Sequence, residues 1–159
     1  MGLFSTLFGE APEKKIARWR EDLLEALPSL LSEGDGFGLS EDQTEVIVRS
    51  GSAHIFIGFR IDEEDEVYLV IYSPLVFMPR DNLLPFYRKL LDLNNAETLL
   101  GRLAMAGDIV FLRCALPVDG LSDEIFGHCV GEMMAEADFL DDTLIEEFGV
   151  KRVEVEVAD

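Results

Sequence analysis

Apolar residues recur every three or four positions near the start of the chain, which is the period of an amphipathic helix. Pro12 opens this stretch and Pro28 is expected to kink or end it. The apolar positions are Ile16, Trp19, Leu23, Leu27 and Leu30. A polar, glycine-rich segment at residues 32–38 then separates this helix from an alternating pattern.

Alternation of apolar and polar residues predicts three strands after this segment. The first begins with residues 45–49, the second covers residues 55–61 and the third covers residues 67–77. Ser50-Gly51 suits a tight hairpin turn, and five consecutive acids at 62–66 suit a solvated one. Because the third strand is apolar on both sides, we expect protein to cover both faces of the sheet, with a dimer or bound partner on the second.

The second half of the chain predicts a helix, a hairpin and a long final helix. Asp81 or Asn82 can cap the first of these helices, and the hairpin turns at Gly107-Asp108. Ser122 is the expected N-cap of the last helix, and Gly149 its C-terminal stop. The fold class is therefore α+β, with a five-stranded antiparallel sheet in the order α-β-β-β-α-β-β-α.

The length of 159 residues allows one domain, which we assign to residues 11–149. Residues 1–10 form an apolar leader that either is disordered or docks as an arm. Residues 150–159 alternate valine with glutamate and either add an edge strand or fray.

The charge balance narrows the classes of partner. The chain has 32 acidic against 13 basic residues, for a net charge of -19, so it should repel nucleic acid. No apolar run approaches the ~20 residues of a membrane-spanning helix. We therefore expect an acidic, soluble, cytoplasmic protein that binds neither nucleic acid nor membrane.

Catalytic and metal-binding motifs do not stand out in the sequence. His54 and His128 are the only histidines, and no HxH, HxxxH or HExxH spacing occurs. Cys114 and Cys129 lack CxxC spacing, and we expect them to be buried thiols. The interpretation is a non-enzyme with no cofactor and no metal; a long-range pair of His54 with Cys114 is the remaining catalytic alternative.

Four short strings in order resemble the YbjN family of the type III secretion chaperone-like superfamily. They are Asn94-Asn95 to Gly101-Arg102-Leu103, Ile109 to Arg113 with Leu116-Pro117, Gly120-Leu121-Ser122, and Ala137-Asp138. The resemblance covers roughly residues 44–148. It implies a chaperone-like fold, no catalysis, and binding of an extended client segment by a small acidic dimer.

The leading hypothesis is a peptide- or protein-binding module, chaperone-like or regulatory, that works as a homodimer. Candidate peptide-binding residues are Ile55, Ile57, Phe59, Tyr68, Tyr72, Met133 and Met134, with core packing as the alternative for each. A second hypothesis is a small-molecule or anion sensor in a pocket between hairpin and helix. It uses Arg102 and Arg113, which face each other if Gly107-Asp108 is the turn; a carboxylate of this chain is the alternative partner.

Overall fold

The computed structural model describes residues 10–155. Their nine helices and strands are α1 (Pro12–Leu30), β1 (Gly36–Leu39), β2 (Val46–Ser50), β3 (Ala53–Ile61), β4 (Val67–Phe77), α2 (Leu83–Ala96), β5 (Arg102–Ala106), β6 (Ile109–Pro117) and α3 (Asp123–Phe148). The predicted leader lies outside the described residues except for Glu10, and the last four tail residues also lie outside them.

The strands form one antiparallel sheet in the order β1-β2-β3-β4-β6-β5. The α+β class is confirmed, but the prediction of five strands is wrong because β1 is a sixth strand. Three of its four residues lie in the glycine-rich segment at 32–38, where the sequence predicts no strand because Gly36 and Gly38 hide the alternation of Phe37 and Leu39. Phe37 pairs with Val48 and Leu39 with Val46, which extends the sheet beyond β2.

All three helices contribute to one hydrophobic core on a single face of the sheet. Leu23 and Leu27 of α1, Phe86 of α2, and Met133 and Leu144 of α3 are fully buried there. Ile47 and Val70 are also buried, yet they are not part of this cluster. Their side chains therefore mark the opposite face of the sheet.

The predicted ends of α3 are confirmed. The Ser122 hydroxyl accepts a hydrogen bond from the Ile125 N–H at 3.2 Å, and Gly149 adopts the left-handed conformation that ends the helix. The β2–β3 turn differs by one residue from the prediction: Ser50 pairs with Ala53, so Gly51 and Ser52 make the turn. Asp138 of α3 fixes this turn by accepting from the Ser52 N–H and hydroxyl.

The start of the C-terminal tail runs beside the far end of β4. The Phe77 N–H donates to the Lys151 carbonyl, and the Val153 N–H donates to the Leu75 carbonyl. Arg152 lies between these contacts and forms hydrogen bonds of 2.8 and 3.2 Å with the buried carboxylate of Asp141. Burial raises the pKa of Asp141, and the hydrogen bonds from Arg152 act against this effect. The pairing of β4 with β3 ends at Tyr72. Beyond that point, residues 151–153 supply backbone hydrogen-bond partners to β4.

A buried acid of α3 determines where β5 begins. The Glu136 carboxylate accepts hydrogen bonds from the backbone N–H groups of Leu99, Leu100 and Gly101, at 2.5, 3.2 and 3.1 Å. A side chain at Gly101 would lie 2.7 Å from the same carboxylate, so glycine is needed there. The Asn94 amide then hydrogen-bonds both backbone groups of Leu103. Together these contacts hold the chain as it enters β5.

We predict that Glu136→Gln destabilises the fold by about 2 kcal/mol, because an amide N–H₂ replaces one oxygen that accepts from a buried N–H. Urea unfolding measures the loss. Glu146→Gln, an exposed position on the same helix, is the charge-matched control and should change the free energy of unfolding by less than about 0.5 kcal/mol. Equal effects of the two substitutions would contradict the structural role given to Glu136.

Candidate functional site

The sheet has one face that no helix in residues 10–155 covers, and we call it the open face. Cross-strand pairing places one row of side chains straight across it: Arg102 on β5, Arg113 on β6, Tyr72 on β4, Phe56 on β3 and Ile47 on β2. Residues two positions away along each strand lie on the same face. The open face is therefore fixed by the register and spans five neighbouring strands.

Aromatic rings form the centre of the open face. The rings of Phe56 and Tyr72 stack with centroids 4.9 Å apart, and the edge of Phe111 meets Tyr72 at 6.2 Å. All three side chains are half-buried. Contacts of this kind leave part of each ring available to a further apolar group.

A carboxylate holds the Tyr72 ring in place. The Tyr72 hydroxyl donates a 2.8 Å hydrogen bond to Glu45, whose side chain passes over Gly58. A Cβ at position 58 would lie only 3.1 Å from Glu45 Cγ, so the glycine gives this side chain its path. Burial and the Glu45 carboxylate both raise the pKa of Tyr72, which keeps the phenol neutral. A depression of about 270 Å³ lies here, lined in part by Gly58, Arg60 and Val70.

The charged residues of the strands all lie on one face of the sheet. The six strands contain four arginines, one histidine and no acidic residue or lysine. All five basic side chains lie on the open face: Arg49, His54, Arg60, Arg102 and Arg113. In a chain with a net charge of -19, this face is a local basic surface.

Arg102 and Arg113 face each other across the β5–β6 hairpin, as the predicted Gly107-Asp108 turn requires. Arg102 donates to the Thr98 hydroxyl and to the Gly101 carbonyl. Among residues 10–155 no carboxylate oxygen lies within 4.0 Å of either guanidinium. The alternative partner, a carboxylate of this chain, is thus not found among these residues; Glu136 of α3 binds backbone N–H groups.

The predicted peptide-binding residues separate into two groups. Tyr68 and Tyr72 lie on the open face, four residues apart along β4. The other five lie on the side that the helices cover: Ile55, Ile57, Phe59, Met133 and Met134. Four of them are buried and Phe59 is half-buried, which corresponds to core packing. A client would reach them only if α1 or α3 moved away.

Sequence reasoning missed the central residues of the open face, namely Phe56, Phe111 and Ile47. It favoured the odd-numbered residues of β3 because Ile55, Ile57 and Phe59 alternate so regularly. Arg60 lies four positions after Phe56 in β3, so the two side chains are on the same face of the sheet. A charged residue in a strand marks the side that stays in contact with solvent, and this signal could have identified the open face.

The geometry separates the groups that a catalytic site would need. His54 lies on the open face of β3, whereas Cys114 pairs with Ile71 on the helix-covered side. Burial raises the pKa of the Cys114 thiol, which disfavours a nucleophilic thiolate. Within the described part of the chain, no group of three or more histidine, cysteine or acidic residues is arranged to hold a metal ion.

None of the three helices in residues 10–155 is both long and apolar enough to cross a lipid bilayer.

The model of one protein family matches most of this chain. It describes T3SS (YopN, CesT) and YbjN peptide-binding chaperone 1, and the match covers residues 21–155. The chain belongs to this family of peptide-binding chaperones. This match confirms the resemblance to the YbjN family described above.

One solved structure agrees with the family at the level of the fold. The crystal structure of YbjN from E. coli, described as a candidate transcription regulator, is similar to this chain, with a TM-score of 0.56 and 14% sequence identity. The similarity covers 87% of this chain and 95% of the YbjN chain. The ExsC–ExsE complex has a TM-score of 0.48 and 15% identity, over 81% and 95% of the respective chains. No curated protein matches the chain.

We predict that His54 titrates below its ordinary pKa of about 6.5, because burial and then the charge of Arg49 lower it. The unfolded chain therefore binds this proton more readily, and the contribution of His54 to stability falls as pH drops below about 6.5. NMR titration of the His54 ring measures the effect. Arg49→Gln should raise the pKa of His54, whereas Arg113→Gln, three strands from β2, should leave it unchanged. An unshifted His54 in Arg49→Gln would contradict this account.

Proposed function

We propose that the open face is the surface on which this peptide-binding chaperone holds an extended client segment. The observation that carries this proposal is the half-buried aromatic cluster of Phe56, Tyr72 and Phe111 on a sheet face that no described helix covers. Exposed apolar groups at the centre of a face mark interaction surfaces. Membership of a peptide-binding family supplies the class of partner.

The mechanism is non-covalent capture, in which client side chains pack on the rings and displace water from them. Tyr72 stays oriented by Glu45, so the ring does not have to be ordered when the client arrives. Strand addition is a second contribution at β1, the edge strand opposite β5. At the β5 edge, Asn94 already occupies the backbone groups of Leu103.

We also propose that the chaperone is a homodimer that associates through α2. Phe86, Leu90 and Leu93 bury one side of this helix in the core. The other side exposes Leu84 by 79% and Leu91 by 69%, with Tyr87 between them. A helix that is apolar on both sides requires a second cover, and an identical stripe on a second copy is self-complementary about a two-fold axis.

The anion-sensor hypothesis is less well supported by the geometry. It required Arg102 and Arg113 to line a pocket between hairpin and helix. Both side chains instead project from the exposed side of the sheet, away from α2 and α3. An open basic surface suits a polymer better than a small anion, since small ligands bind in clefts that bury most of their surface.

Peptide capture predicts that amide resonances on β3, β4 and β6 shift when an extended peptide binds. Twelve-residue peptides selected from a random phage library against the full chain serve as probes in NMR titrations. Phe111→Ser should weaken their binding at least tenfold, because it removes an apolar contact from the centre of the face. Phe139→Ser, which removes an exposed ring from α3, is the matched control and should have no effect. Shifts confined to the helices would overturn the proposed surface.

Dimerisation through α2 predicts that Leu84→Glu/Leu91→Glu converts the protein to a monomer, because four carboxylates would then meet at the two-fold axis. Both side chains are exposed, so circular dichroism should show an intact fold. Light scattering at defined concentrations measures the mass. Ile125→Glu on α3, an apolar side chain that is 49% exposed, is the control and should remain dimeric. A wild-type monomer at high micromolar concentration would contradict the proposal.

A further inference from the structure

The distribution of arginine on the open face has a pattern that the family assignment does not explain. Cross-strand register places two arginines, Arg102 and Arg113, beside Tyr72 at one side of the aromatic cluster. Arg49 lies at the opposite side, on β2, and Arg60 lies toward the β3–β4 turn. The cluster is thus bordered by guanidinium groups on three sides.

The four arginines of the open face are not held in ion pairs by the residues that the structure describes. Arg49, Arg60, Arg102 and Arg113 are all exposed, and none of them has a carboxylate within 4.0 Å among residues 10–155. Of the nine other lysines and arginines, four have such partners, including Lys15 with Asp119 and Arg152 with Asp141, and five also lack them in the same range of residues. The four arginines differ from these residues in that they share one face of a sheet whose strands contain no acidic residue, so together they can bind the carboxylates of a ligand.

Two of these arginines are paired directly across neighbouring strands. Arg102 and Arg113 are opposite each other in an antiparallel pair, an arrangement that is destabilising unless an anion lies between them. Glu136, which binds the N–H of Gly101 next to Arg102, does not relieve the repulsion, because its carboxylate accepts from three backbone N–H groups. A carboxylate from outside the described chain would relieve it.

Strand geometry gives the spacing of the anions that this surface would accept. With about 4.8 Å between strands and about 3.3 Å per residue, the Cα atoms of Arg113 and Arg49 are roughly 16 Å apart, and so are those of Arg113 and Arg60. In an extended segment only residues an even number of positions apart share a face, and a separation of six positions spans about 20 Å, a difference that the long arginine and glutamate side chains can bridge. The aromatic cluster lies between the two basic ends.

We propose that the open face selects client segments that carry two acidic side chains six residues apart, with apolar residues on the same face between them. This proposal rests on the proposed capture of extended segments and specifies which segments are captured. The acids pair with Arg113 at one end and with Arg49 or Arg60 at the other, and the apolar residues pack on Phe56, Tyr72 and Phe111. The acidic helices on the covered side repel such a segment and so favour the open face.

Peptide is favoured over nucleic acid as the polyanion. Stacking rings and arginines would also suit a single strand, but a phosphate chain carries a charge at every nucleotide and would meet Glu45 and the acidic turn at 62–66. A peptide can place its two charges only where the arginines lie. The family match points to peptide as well.

The test uses two labelled peptides that differ only in charge, Gly-Glu-Thr-Phe-Thr-Phe-Thr-Glu-Gly, in which both glutamates and both phenylalanines share one face when extended, and the same sequence with both glutamates replaced by glutamine. Fluorescence anisotropy with the full chain should show the glutamate peptide binding at least tenfold more tightly at low salt, which corresponds to about 1.4 kcal/mol. The advantage should shrink as salt is raised. Binding should also raise the pKa of His54, because a carboxylate arrives beside it.

Substitutions locate the effect. Arg102→Gln/Arg113→Gln should remove most of the preference for the glutamate peptide and leave the glutamine peptide unaffected. Lys14→Gln/Arg18→Gln changes the net charge equally on exposed positions of α1 and should leave the preference intact. Equal loss in both double variants would overturn the proposal, because it would show a non-local charge effect.

The outcomes separate this inference from the proposed function. If both peptides bind the open face equally well, selection for acids is wrong while peptide capture stands. If neither peptide binds and the phage-selected peptides also fail, the proposed function itself is wrong. Tighter binding of a twelve-residue oligothymidylate than of the glutamate peptide would overturn the choice of peptide as the ligand.

Discussion

The whole structure depends on the alternation of side chains in a sheet whose helices all pack on the same side. Because paired residues share a face, the register that buries Ile57 against Ile71 also sends Phe56 and Tyr72 to the other side. The core and the open face are therefore specified by one set of backbone hydrogen bonds. A one-residue slip between β3 and β4 would mix the two sets of side chains, and neither surface would survive.

The open face also depends on buried polar groups that do not belong to it. Glu136 and Asn94 fix the residues that lead into β5, and β5 carries Arg102 to the edge of the sheet. Asp138 fixes the turn between β2 and β3, the strands of Arg49 and Phe56. The acids of α3 thus have two roles: some lower the overall charge, whereas others position the strands that hold the basic face.

Much of the fold could be predicted from the sequence because its signals are local. Ser122 and Gly149 bound α3 by capping chemistry, and Gly107-Asp108 fixed the pairing of Arg102 with Arg113. The site was less predictable because the choice of face is a tertiary property. Alternation in β3 defines two sets of residues, but only the packing of α1 and α3 decides that Ile55 is covered and Phe56 is not. β1 was missed because a four-residue strand with two glycines has little local signal.

The contact of the tail with β4 has a consequence for synthesis of the protein on the ribosome. β4 lies in the middle of the sheet, yet its partners include β6 and residues 151–153, which leave the exit tunnel long after β4 itself. Until those residues have also emerged, the nascent chain exposes the unpaired edge of its most apolar strand, and that interval is when aggregation competes with folding.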